Sequence, residues 1–194
     1  MSYKQRFITN YIKKHSSKPL DYHGERLDCF SSEYFKIVNY LNSLNAILTG
    51  YIVEKCLSVD ENINPEEFLK NLCKHHITRT KNMNRIKEYL TEKNLKIIIQ
   101  NTNTFKEKYF KNYFRIEYSV KLNADNLFAE ADIIGWIDDN NVDIYDVKCY
   151  KTNEIERFYS QLSMYKQCFE RRFLGKKVRK IIIINPLRNE LISF

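Results

Sequence analysis

Hydrophobic positions divide this chain into a helical first part and a strand-rich second part. Over residues 34–59, Ile37, Leu41, Leu44, Leu48 and Ile52 recur at steps of three and four, the period of one helix face. The pattern predicts one long helix, interrupted at Gly50 at about 1 kcal/mol relative to alanine. Pro65 opens a second helix with Asn64 as its cap, and a third helical stretch runs from Asn82 to Lys96. Near the start, Phe7, Ile8, Tyr11 and Ile12 form one helical face.

The period then changes to two. Arg115–Leu122 alternates like a strand, followed by Leu127–Ile137 and Val142–Tyr150, with the turn-forming run Asp138-Asp139-Asn140-Asn141 between them. Glu154–Phe173 returns to helical spacing, with Phe158, Leu162, Tyr165 and Phe169 on one stripe. Lys180–Asn185 reads as a buried strand ended by Pro186, and Glu190–Phe194 as a short final strand. The fold class expected is α/β.

Chemistry concentrates in this second part. Asp146-Val147-Lys148 is the only acidic residue-any-lysine triplet, and it lies fourteen residues after Asp132 in the apolar run AEADIIGWI. Side chains alternate faces along a strand, so Asp146 and Lys148 share a face. A three-residue loop, Asp139–Asn141, places Asp132 across from Lys148, whereas a two-residue loop turns Asp132 away. If the faces match, Asp132 and Asp146 are hard oxygen ligands suited to Mg²⁺ or Mn²⁺, with the Val147 carbonyl as a third oxygen. Lys148 would then orient a water and stabilise charge on phosphate oxygens.

Three further residues belong to the candidate set. Glu54 stands at the margin of the first helix's apolar stripe and reads either as another metal ligand or as a surface carboxylate. Gln161 and Tyr165, four apart, share one helical face. Gln161 can contact water, Lys148 or phosphate, and Tyr165 either supports it or packs in the core. Glu117 reads equally as an accessory carboxylate or an exposed strand position.

Composition narrows the partners. The 194 residues suit one domain, with 43% hydrophobic and 29% charged residues. A net charge of +8 favours polyanions. Arg171, Arg172, Lys176 and Lys177, within a basic run after the last helix, are candidate phosphate contacts, as are the five basic residues among the first twenty. The 14 Tyr and 12 Phe include candidates for stacking on unpaired bases, although core packing accounts for most of them. Five cysteines without a CxxC argue against a disulfide framework, a zinc site or an iron–sulfur cluster, and for a reducing compartment. No apolar stretch approaches the ~18–20 residues of a membrane span, and Met1–Leu20 has no apolar centre for a secretory signal. An intracellular protein, cytoplasmic or nuclear, is expected. A mitochondrial presequence is the lesser alternative, because Lys outnumbers Arg in the basic N-terminus.

Taken together, Gly50-xxx-Glu54, Asp132 in ADIIG, Asp146-Val147-Lys148 and Gln161-xxx-Tyr165 resemble the PD-(D/E)XK nuclease superfamily, in its RecB-like and lambda-exonuclease-like branch. The resemblance covers residues 34–194. It implies a restriction-endonuclease-like core in the order α-β-β-β-α-β, with residues 1–33 as an N-terminal extension and a helical insertion at about 62–105. It also implies a two-carboxylate metal site, a catalytic lysine and a DNA substrate, often attacked at its ends. The chain departs from the pattern in carrying Glu54 where RecB-like members commonly have His, and Ala131 where a proline precedes the first aspartate.

The reading is a metal-dependent deoxyribonuclease, an exonuclease on single strands or duplex ends. The alternatives are a structure-selective endonuclease on the same fold and a catalytically silent DNA-binding module. A homo-oligomer or a replication or repair partner protein is compatible with it, though nothing in the chain demands either.

Overall fold

The computed structural model describes residues 23–59, 64, 67–68, 70–71, 82–124, 128–149 and 155–194. Six strands form one sheet: β1 (His23–Arg26), β2 (Arg115–Lys121), β3 (Glu130–Trp136), β4 (Asn141–Val147), β5 (Lys177–Asn185) and β6 (Glu190–Ser193). Their order across the sheet is β1-β6-β5-β4-β3-β2. Every pairing is antiparallel except that of β4 with β5. Five helices occur among the described residues: α1 (Ser32–Leu44), α2 (Ala46–Leu57), α3 (Met83–Tyr89), α4 (Glu92–Tyr109) and α5 (Ile155–Arg172). The α/β class expected from the periodicities is the class observed.

The parallel pair follows from the connection. A parallel neighbour needs a crossover, and α5 supplies it between the end of β4 and the start of β5. Both sheet faces are covered. Residues of α1, α2 and α4 pack with Ile133, Tyr145, Val147, Ile182 and Ile184 on one face. On the other, Phe158, Leu162, Tyr165 and Phe169 of α5 pack with Ile134, Trp136, Ile144 and Ile183. The helical stripe read from α5 is thus its buried face.

Several boundaries differ from the sequence reading. The expected long helix is two helices, and the break falls at Asn45, with Gly50 inside the second. Asn45 is extended (φ −164°, ψ 105°), and its side chain accepts from the Leu48 N–H at 3.0 Å. A side chain that caps the following helix this way competes with continued helix through its own position. The stretch expected from Asn82 to Lys96 is likewise divided. Thr91 caps α4 by accepting from the Asn94 N–H at 3.2 Å, and α4 continues to Tyr109. Asn64 accepts from the Glu67 N–H at 3.4 Å, as a cap would.

The edge strand β1 has no counterpart in the sequence reading, because all four of its residues are exposed and carry no apolar alternation. The face of Phe7, Ile8, Tyr11 and Ile12, the five basic N-terminal residues, Pro65, Cys73, His15, His75 and His76 lie outside the described residues. Among the described residues no helix is long and apolar enough to cross a membrane.

Candidate active site

The β3–β4 hairpin sets the site. Trp136 pairs with Val142 and Ile133 with Tyr145, and the Ile137 N–H donates to the Asn141 carbonyl at 2.9 Å. The loop is therefore three residues long, Asp138–Asn140. Asp138 closes it by accepting from the Asn140 and Asn141 N–H groups at 2.7 and 2.8 Å. This corrects the expected loop by one position. Extended one step past Ile133, the register sets Asp132 level with Asp146, not with Lys148. The shift is by two residues, which preserves the faces.

At that level the paired ladder stops. Asp132 reaches across the gap, and its Oδ2 accepts from the Val147 N–H at 2.7 Å. In extended backbone the N–H and C=O of one residue point the same way, so the Val147 carbonyl opens into the same gap. A β-carbon built on Gly50 would lie 4.0 Å from that carbonyl oxygen. Helix α2 thus passes directly over the end of β4.

Asp146 is wholly buried. Lys148 Nζ lies 2.5 Å from its Oδ2 as an ion pair, and among the described residues neither carboxylate oxygen has another partner. Burial pushes the Asp146 carboxyl above the ordinary range, and Lys148 opposes the rise. Asp132 is raised too, first by burial, then by the charges of Asp146 and Glu54, against Lys148 and the Val147 N–H. Like charges gathered in a dry site favour keeping a proton or gaining a cation.

From α5, Gln161 donates to the Tyr165 hydroxyl. The Tyr165 ring is buried in the α5-side core, and burial raises its hydroxyl, followed by the charges of Asp146 and Asp132. Core packing is therefore what holds the Tyr165 ring, and the two carboxylates act on its hydroxyl electrostatically. Phe158 of the same helix lies under Lys148, with the ammonium 5.9 Å from the ring centroid.

Glu54 sits on the margin of α2 and touches the site through a residue the sequence reading passed over. Ser119 donates to Glu54 Oε1 at 3.0 Å and accepts from Lys55 Nζ at 2.8 Å. Ser119 has φ +51°, in the left-handed region. It stands opposite Asp132, at the one position where the β2–β3 pairing skips a step between Tyr118↔Ile133 and Val120↔Ala131. The strand turns over there. Ile116 and Tyr118 pack on the α2 side of the sheet, Val120 and Leu122 on the α5 side. No residue type announces such a reversal: the alternation of Ile116, Tyr118, Val120 and Leu122 runs through Ser119 unbroken.

The other candidates lie elsewhere. Glu117 accepts from the Trp136 indole at 2.8 Å and lies near Arg115, away from the carboxylates. Lys177 pairs with Asn141 at the start of β4, five residues from Asp146. That is roughly 17 Å at ~3.3 Å per residue. Lys176 donates to the Asp139 carbonyl at this far edge, whereas Arg171 and Arg172 end α5, and Arg172 donates to the carbonyl of Lys121, two residues along β2 from Ser119. The structure thus sets Lys176 and Lys177 apart from the carboxylates. Among the described residues, no three His, Cys, Asp or Glu side chains converge as a ready metal cage.

The chain matches no protein-family model and no curated protein.

Proposed function

We propose that the chain is a metal-dependent deoxyribonuclease built on a restriction-endonuclease-like core. The observation that carries this reading is the pairing of Asp132 and Asp146 where the β3–β4 ladder opens, with Lys148 against Asp146. With α3 and α4 taken as an insertion between α2 and β2, the element order α2, β2, β3, β4, α5, β5 is the α-β-β-β-α-β order such a core requires, and supports the reading.

The residues fit a hard divalent cation. Every metal-binding atom at the gap is oxygen, and among the described residues the buried Asp146 carboxylate has no partner other than the Lys148 ammonium. Asp132, Asp146, the Val147 carbonyl and Glu54 would hold Mg²⁺ or Mn²⁺, with waters completing the shell, as Mg²⁺ prefers. When bound, the ion lowers the pKa of water and neutralises phosphate charge.

The chain's own groups do the rest. Lys148 can only donate hydrogen bonds, so its ammonium offers charge to phosphate oxygens as negative charge builds on them. Phe158 and the end of β4 hold that ammonium close to Asp146. Gln161 and Tyr165, joined by a hydrogen bond on α5, can orient a water or a phosphate. Lys176 and Lys177 would grip the substrate away from the bond being cut, since roughly 17 Å is about five nucleotide steps at ~3.4 Å each.

A labelled oligonucleotide titrated with metal tests the function. Cleavage is expected with Mg²⁺ or Mn²⁺ and none in EDTA; full activity in chelator would end the metal reading. Linear strands should shorten from their ends while closed circles resist. Rapid internal cutting of circles would select the endonuclease alternative, and tight binding without cleavage in any metal the silent binding module.

Charge reversal at Arg171 and Arg172 gives a separate check. Losing two single-strand phosphate contacts should reduce the slope of log affinity against log salt by about 1.4. An unchanged slope would remove these residues from the binding path.

A further inference from the structure

We propose that Ser119 is a positioning residue that fixes Glu54 against Asp132 and thereby sets the affinity of the site for its cation. This rests on the metal-site reading above. Three observations converge on Ser119. Its backbone is left-handed, which few residues other than Gly, Asn and Asp adopt readily, so the surrounding structure holds it there. It stands level with Asp132 at the skipped step of the β2–β3 ladder, where β2 exchanges its buried face. Its hydroxyl is the link between β2 and the α2 carboxylate.

The direction of that link is determined by Lys55. An ammonium donates and never accepts, so Ser119 Oγ must be the acceptor in the 2.8 Å contact with Lys55 Nζ. The serine proton is then committed to Glu54 Oε1, 3.0 Å away. Lys55 also lies 3.5 Å from the same oxygen and stacks over the Tyr51 ring at 5.2 Å, which anchors the donor. One carboxylate oxygen of Glu54 is thereby held from two sides. Its second oxygen has no hydrogen bond among the described residues and stays available to the site. Residues that orient a metal-binding side chain typically change affinity 10–100-fold when removed.

The αL backbone makes a clean test possible. Gly and Asn both accept φ near +51°, but only Asn has a side chain whose amide can donate to Glu54 and whose carbonyl can accept from Lys55. Binding of MnCl₂ alone to the full chain is measured by calorimetry, with thermal unfolding of each variant as a control. Ser119→Gly should fold and bind Mn²⁺ about ten-fold more weakly than the wild type. Ser119→Asn should recover affinity to within about three-fold, which a merely structural role for the serine does not predict. Wild-type affinity in Ser119→Gly would overturn the proposal, as would Ser119→Asn binding no better than Ser119→Gly. A wild-type protein that takes up no Mn²⁺ would remove the metal reading itself, and this inference with it.

Discussion

Asp146→Asn should abolish phosphodiester cleavage while leaving the protein at least as stable as the wild type in metal-free buffer. The loss follows from the proposed reading. The amide keeps the size of the carboxylate but not its charge, and electrostatic stabilisation by a bound cation is worth several kcal/mol in the transition state. A loss of ~4 kcal/mol is about a thousand-fold in rate.

The stability half follows from the geometry alone. Asp146 is wholly buried, and among the described residues its one partner is the Lys148 ammonium. Its carboxyl is raised by burial, so the folded state binds the proton more tightly than the unfolded chain does. A carboxylate with that sign destabilises the fold at neutral pH, where it is charged. Removing the charge also relieves Asp132, which is raised in part by Asp146. Urea unfolding and a labelled-oligonucleotide assay on one preparation read both halves. A variant that unfolds more easily than the wild type would show that Asp146 holds the fold together. Retained cleavage would take it out of the proposed mechanism.

That conflict between charge and burial explains what was legible in the sequence. Acidic residues in apolar strand runs are conspicuous, which is why Asp132, Asp146 and Lys148 could be marked from the sequence. Their relative facing depended on a loop length that the run Asp138-Asp139-Asn140-Asn141 leaves open. The structure resolves it through the Asp138 side chain, which closes a three-residue turn one position earlier than expected. The strand and α5 boundaries were legible because apolar periodicity reports burial.

Other features left no such trace. Asn45 and Thr91 divide helices whose apolar spacing runs on through them, because a capping side chain acts locally and leaves the stripe intact. The exposed β1 buries nothing, so it has no pattern to read. Ser119 is an ordinary polar residue whose importance lies in its backbone, and backbone conformation at a single non-glycine position is not written in residue type.

Asp143→Ala should do the opposite of Asp146→Asn: it should destabilise the fold and leave the chemistry of each folded molecule unchanged. Asp143 is three residues before Asp146 on the same strand, and its side chain is also only 1% exposed. Its surroundings differ. Arg179 of β5 donates to both oxygens, Nε to Oδ1 at 3.0 Å and an Nη to Oδ2 at 2.6 Å. The Tyr113 hydroxyl donates to Oδ2 at 2.6 Å and lies 2.7 Å from the Tyr145 hydroxyl. The Tyr113 ring is seated over Gly135, where a β-carbon would come within 2.8 Å of the ring.

This cluster ties the segment before β2 to β3, β4 and β5 at once. Truncating Asp143 strands a guanidinium and removes the acceptor of a half-buried hydroxyl. Breaking a buried pair in this way costs roughly 3–5 kcal/mol. The Arg179 side chain is 51% exposed and can be rehydrated, which favours the lower end, about 3 kcal/mol. Arg179→Met, which removes the opposite partner, should also lose stability, because it leaves Asp143 charged and buried with only the Tyr113 donor. The double variant should lose less than the sum of the two, since the coupling between the groups is then counted once. Additive losses in that cycle would show that the pair does not act as a unit. A fall in cleavage rate per folded molecule in Asp143→Ala would extend the site along β4 beyond the gap between Asp132 and Asp146.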